Sequence, residues 1–176
     1  EPYRRQRQMC IRDRITEYNP FHNGHQYHIE KAKKLTGADK VVVVMSGNFV
    51  QRGAPALLPK HLRAEMALKS GADLVIELPV FYACASAEYF AYGAVSLLHA
   101  LHCVDSICFG SECGDLTLLQ KAANIMAEEP DAYKHSLQSY LREGYRFPLA
   151  RQKAFQDFTK EERIASILEQ PNNILG

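Results

Sequence analysis

The run KVVVVMSG at residues 40–47 constrains this chain most. Four consecutive valines and a methionine are too short a stretch for a stable helix. They are β-branched at almost every position, and apolar on both faces of any extended backbone. Such a run is stable only as an interior strand with cover on both sides, which is the signature of a parallel sheet flanked by helices. ADLVIELP (72–79) and SICFGS (106–111) read the same way, and a stub at Arg14 to Glu17 supplies a first strand. The intervening segments have helical period and end in glycine: Gly24 to Leu35 before Gly37, and Lys60 to Lys69 before Gly71. A third, Ser86 to Leu101, carries the stripe Phe90, Ala94, Leu97, Leu98 and Leu101. The order β-α-β-α-β-α-β with short connections predicts an α/β, doubly wound parallel sheet. Beyond Asp115 the strands stop, and helices are expected over Leu116–Ala127, Pro130–Arg142, Pro148–Phe158 and Glu161–Glu169.

A core at 15–128 and a helical extension at 129–176 are expected from this pattern, the latter expected to be cut short at PNNILG. Residues 1–14 (EPYRRQRQMCIRDR) hold five arginines against Glu1 and Asp13, a local +3 that leaves the rest of a +1 chain at −2. This stretch is expected to be a non-native leader and carries no functional weight. No apolar run approaches the roughly 20 residues that cross a bilayer, so no membrane association and a cytoplasmic location are expected. The five cysteines form no C-x-x-C pair and read as reduced thiols. No feature of the sequence fixes an oligomeric state.

The candidate site is NPFHNGHQYHIEKAKKL, residues 19–35, where an extended segment turns into a helix. In parallel α/β sheets ligands bind beyond the carboxyl ends of the strands, where helix N-termini present unpaired N–H groups. Gly24 lets the backbone approach a ligand closely. His25 lies in the first helical turn in line with Ile29 and Ala32, and His22 in the turn before it, with Pro20 fixing the entry. Two imidazoles and free amides facing one anion would stabilise charge on a phosphate as a bond breaks. The rival readings are a metal held by His22, His25 and His28, which lacks the glutamate of H-E-x-x-H, and a helix merely capped by Asn23.

HNGH resembles the H-x-G-H nucleotide-binding motif of the nucleotidyltransferase superfamily. EYNPFHNGHQYHIEKAK together with VMSGNFVQRG, RAEMAL, GADLVIELP, SAEYFAYGAVSLL, FGSECGD and PNNILG is similar to the bacterial tRNA(Met) cytidine acetate ligase family. That resemblance implies a Rossmann-like sheet of the nucleotidyltransferase type followed by an α-helical segment. It also implies an enzyme that forms acetyl-adenylate from acetate and ATP and acetylates N4 of the wobble cytidine of elongator tRNA(Met). ATP is then a co-substrate, with Mg2+ expected to arrive with it and no metal site in the protein. The ATP-binding block would be Ile15, Thr16, Glu17, Tyr18, Asn19, Pro20, Phe21, His22, Asn23, Gly24, His25 and His28. His22 and His25 would be the catalytic contacts to the phosphates, and Gly110 and Asn172 or Asn173 further nucleotide contacts. Departures from the family pattern are MCIRDR in place of an apolar first strand and Ala54 where an acidic residue is usual. The alternatives are a small-molecule adenylyltransferase of cofactor biosynthesis, a non-catalytic RNA-binding module and a histidine-bound metal hydrolase.

The loop SGNFVQRGAPALLPK after the second strand is too long for a bare connection. Ser46 and Gly47 offer a hydroxyl and an amide to phosphate or acetate. Arg52, Lys60 and Arg63 are the cations best placed for phosphates or tRNA, and Glu77 is expected to pair with one of them. Glu88 and Glu112 stand near later corners with no role assigned. From Leu116 onward, basic residues interleaved with Tyr133, Tyr140, Tyr145, Phe147 and Phe155 form either a tRNA surface or, for the aromatic residues, a helical core.

Overall fold

The structure, a computed structural model, describes residues 11–160 with Ile164 and Ile167, the first four of these as backbone alone. The expected helix at Glu161–Glu169 therefore lies largely outside the described residues, as do Asn172 and Asn173. Two compact units divide at Phe109 and Gly110.

The first unit contains a wholly parallel four-stranded sheet. Its elements are β1 (Ile11–Thr16), α1 (Asn23–Thr36), β2 (Lys40–Ser46), a 3-10 turn (Gln51–Gly53), α2 (Lys60–Lys69), β3 (Leu74–Leu78), α3 (Val80–Ala83), α4 (Ala87–Ala100) and β4 (Ser106–Ile107). The strand order is β3-β2-β1-β4. The chain winds outward from β1 to β3 and then returns past β1 to β4, so the winding reverses beside β1. In this class of sheet, that reversal opens a crevice beyond the carboxyl ends of the strands. α1 and α2 pack on the sheet face that carries Val41, Val43 and Met45, and α4 packs against β1 and β3.

β2 behaves as its valines predict, with Val41 to Ser46 all buried. Val41, Val43 and Met45 face Ile29 of α1 and Ala67 of α2, with Tyr18 and Ala72 completing that layer. β3 departs from the expectation of burial on both faces: it is an edge strand, and Leu74 is 47% exposed. β1 starts at Ile11, three residues before the expected stub, because Ile11 to Arg14 pair in register with Lys40 to Val43. β4 is shorter than SICFGS suggests, bonding to β1 only through Ser106 and Ile107.

Asp73 stitches the opposite, amino-terminal edge of the sheet. It accepts the Val41 N–H (2.9 Å) and pairs with Lys40 (2.9 Å) and Lys33 (3.4 Å). In α4, Gly93 is buried under the Tyr82 ring, so a side chain there would overlap the ring carbons.

The second unit is helical: α5 (Leu116–Glu128), capped by the Asp115 carboxylate on the Thr117 and Leu118 N–H groups, then α6 (Asp131–Arg142) and α7 (Phe147–Thr159). Leu119, Ala122, Tyr133, Ala154, Phe155, Ile164 and Ile167 form its core. Tyr133 and Phe155, candidates for stacking on RNA bases, therefore belong to packing. Tyr140 donates to Asp157 (2.6 Å), and Lys153 sits over the Tyr140 and Tyr145 rings at 5.7 and 5.1 Å. No disulfide joins Cys84, Cys103, Cys108 or Cys113. Among the described residues, no helix is long and apolar enough to cross a membrane.

Candidate functional site

β1 delivers the chain to the winding reversal with Ile15 and Thr16 half-buried at its carboxyl end. The backbone then turns sharply. Tyr18 is buried and takes a left-handed conformation (φ 48°), and the Asn19-Pro20 peptide bond is cis. Tyr18 packs edge-on against Phe21 (4.8 Å between ring centroids) and also meets the His25 ring at 4.8 Å. Phe21 reaches His25 at 5.6 Å. Two aromatic rings thus fix the plane of the His25 imidazole before any ligand arrives.

The cap of α1 is His22, not Asn23. Asn23 is instead the exposed first residue of the helix. The His22 Nδ1 accepts the Gly24 N–H (3.1 Å), and the His25 Nδ1 accepts the His22 N–H (3.2 Å), a reciprocal arrangement of the capping-box kind made from two imidazoles. The rings stack with centroids 3.7 Å apart and planes 26° from parallel. A neutral imidazole that accepts at Nδ1 carries its proton on Nε2, so both rings are set up as donors through Nε2.

Gly24 is required by a close approach, though of a different kind from the one the motif suggests. A Cβ there would lie 2.9 Å from His22 Cε1, so glycine makes room for the cap's own ring. His28 lies further along α1, half-buried, near Tyr27 (ring centroids 6.4 Å). Among the described residues no group of three or more His, Cys, Asp or Glu side chains is arranged to hold a metal ion.

The long loop after β2 is built onto this turn. Glu17 accepts the Gln51 N–H (2.8 Å) and Asn19 accepts the Leu57 N–H (2.7 Å). Within the loop, Phe49 bridges to Pro55, Val50 N–H bonds to Ala54 O (2.9 Å) and Ala56 N–H to Asn48 O (2.9 Å). Ser46 and Gly47 are buried at its start, and among the described residues the Ser46 hydroxyl has no hydrogen-bond partner. Arg52 is exposed at the far end, held at φ 67°.

The expected cations divide. Lys60 pairs with Glu77 (2.6 Å), and the Glu77 carboxylate lies so close over Gly47 that a Cβ there would overlap it. Arg63 corrects its expected role as a phosphate-facing cation. It is wholly buried and donates through Nε to Leu58 O (3.0 Å), through Nη1 to Glu17 O and through Nη2 to Gly47 O. Burial pushes the guanidinium pKa below its ordinary value, opposed by the fields of Glu17 and Glu77. Three carbonyl dipoles replace the water it has lost, which makes a buried cation tolerable without a direct carboxylate partner. No periodicity marks Arg63 as internal. Its acceptors from Glu17 and Gly47 lie 46 and 16 residues away in sequence. Gly110 opens the second unit half-buried, and Glu88 and Glu112 are exposed.

The chain matches the HIGH Nucleotidyl Transferase family over residues 9–176. It is 50% identical to the tRNA(Met) cytidine acetate ligase of Clostridium perfringens, across 96% of this chain and 44% of that protein. It is 57% identical to the enzyme of that name from Caldanaerobacter subterraneus, across 92% of this chain and 40% of that one. The crystal structure of Thermotoga maritima TmcAL bound with alpha-thio ATP superposes with a TM-score of 0.91 at 45% identity, covering 96% of this chain and 42% of that one. The chain thus spans about two fifths of the length of these relatives.

Proposed function

Because the chain belongs to the HIGH Nucleotidyl Transferase family, we propose that it binds ATP at the His22–His25 corner and contributes this site to a tRNA(Met) cytidine acetate ligase. The observation that carries the reading is the stacked imidazole pair at the carboxyl end of β1, with both Nδ1 atoms occupied by backbone donors. His22 stands exposed at the N-terminus of α1, where its Nε2–H and the positive end of the helix dipole favour a phosphate. The names of the relatives, and the ATP analogue bound in the Thermotoga structure, support the same chemistry.

In the proposed reaction an acetate oxygen attacks the α-phosphorus, the bond to the β-phosphate oxygen breaks, and pyrophosphate leaves with acetyl-adenylate remaining. The N4 amine of the wobble cytidine of elongator tRNA(Met) then attacks the acetyl carbonyl; AMP departs and the amine loses a proton. Acetate is already an ionised nucleophile, so the first step asks mainly for alignment and for donors to the charge that builds on the phosphates. The His22 Nε2–H supplies one such donor, its Nδ1 being held by the Gly24 N–H. ATP is expected as its magnesium complex, with the metal carried by the nucleotide, and the setting is the cytoplasm.

Acetate-dependent exchange of labelled pyrophosphate into ATP tests the reading. Exchange that requires acetate and collapses in His22→Ala and His25→Ala supports acetyl-adenylate formation at this corner. Confirmed ATP binding with no exchange at high acetate would sink it and favour another acceptor. Binding of tRNA with no affinity for ATP would favour an RNA-binding module.

A further inference from the structure

We propose that Arg63 is a positioning residue for the nucleotide site, through which the loop at 47–58 sets the turn that carries His22 and His25. The inference rests on the nucleotide site proposed above. Its structural basis is one guanidinium with three addresses. Gly47 O is the first residue of the loop, Leu58 O is near its last, and Glu17 O begins the turn that leads into HNGH. A planar fork with fixed donor directions can hold three carbonyls in one relative geometry, and an ammonium on a flexible stem cannot. The side chain is completely buried, so this geometry is shielded from competition by water.

Two further bonds run between the same segments, from Gln51 N–H to the Glu17 carboxylate and from Leu57 N–H to the Asn19 carboxamide. Each joins the loop to the stretch Glu17–Asn19, and all of them stand just upstream of the His22 cap. Displacing Glu17 would carry Tyr18 with it, and Tyr18 is one of the two rings that set the plane of His25. Arg63 therefore acts on the phosphate donors through the backbone and the aromatic layer, without touching the ligand itself.

The test compares the wild-type chain with Arg63→Lys, Arg63→Ala and Asn19→Ala. The last severs one partly exposed loop bond and leaves the buried fork intact, so it reports even where the Arg63→Ala chain does not fold. Isothermal titration with ATP gives affinity and the number of competent sites separately. Trypsin cleavage at the exposed Arg52–Gly53 bond, followed by mass spectrometry, reads release of the loop without reference to any ligand.

Positioning predicts an ATP Kd weakened about tenfold in Arg63→Lys, a smaller weakening in Asn19→Ala, and the number of sites held near one. It predicts faster cleavage at Arg52 in the same rank order, and partial recovery of affinity in Arg63→Ala on adding millimolar guanidinium. A purely structural role would reduce the number of competent sites with Kd unchanged, and that result would overturn the inference, as would unchanged cleavage in folded Arg63→Lys. A wild-type chain that binds no ATP would instead overturn the proposed nucleotide site; the cleavage arm would still decide whether Arg63 holds the loop.

Discussion

Replacing His22 by asparagine separates its two jobs, capping α1 and donating to phosphate. Asparagine is among the best N-cap residues, and its carboxamide oxygen can accept the Gly24 N–H now taken by His22 Nδ1. Alanine can do neither. A lost cap costs about 1 kcal/mol, and the ring stack on His25, lost in both variants, is worth at most about 0.5–1.5 kcal/mol at an exposed position. His22→Asn should therefore unfold in urea about 1 kcal/mol more stably than His22→Ala. Activity follows a different rule. Removing one pre-set donor to developing charge costs roughly 100- to 1000-fold, about 2.7–4 kcal/mol. Both variants should lose acetate-dependent pyrophosphate exchange to the same extent, because neither retains an N–H where Nε2 stood. If His22→Asn keeps exchange within about tenfold of the wild type, a loss well short of that donor's worth, His22 is a cap and nothing more.

Asp73 should make the fold acid-sensitive. Burial pushes its carboxyl up, but the bonds from Lys40 and Val41 N–H and the nearby Lys33 outweigh that and hold it below the usual value. A depressed folded pKa stabilises fully above the unfolded value of about 3.9 and is lost as pH falls through the folded one. With partly exposed partners the effect is modest, so Asp73→Ala should cost about 1 kcal/mol at pH 7, and its urea midpoint should converge on that of the wild type in acid. Gly47→Ala should displace the Glu77 carboxylate and break its pair with Lys60, at under about 1 kcal/mol because both side chains are partly exposed. That cost should shrink in a Glu77→Ala background, and an undiminished cost there would refute the clash. Gly93→Ala should cost about 1–3 kcal/mol in thermal or urea unfolding despite the gain in helix propensity, because the Tyr82 ring is packed on that glycine. Tyr82→Ala should relieve it.

The elements with strong period or punctuation were readable from the chain. Glycine after Thr36 and the apolar spacing of α1 marked its end correctly, and the valine run of β2 announced a buried strand. What escaped the reading depends on partners far away in sequence. IRDR looks too charged to open a central strand, yet Ile11 to Arg14 are drawn into one by register with the valines of β2. Arg63 looked like a surface cation because arginine is seldom buried, and the carbonyls that accept it come from three separate stretches of backbone. The rival reading in which Asn23 caps the helix fails because His22 takes the cap, an unusual residue there, held by the ring of its partner three residues on.

The central place of β1 also sets the order in which the protein can be assembled as it is synthesised. Its partner β2 emerges soon after it, but Arg12 and Asp13 wait for Ser106 and Ile107 before their other edge is covered. Closing so wide a gap is the slow entropic step of a sheet like this one. Until it closes, the strand that leads into HNGH has an open side, and a nascent chain stalled before Ser106 presents that edge to any strand that will pair with it.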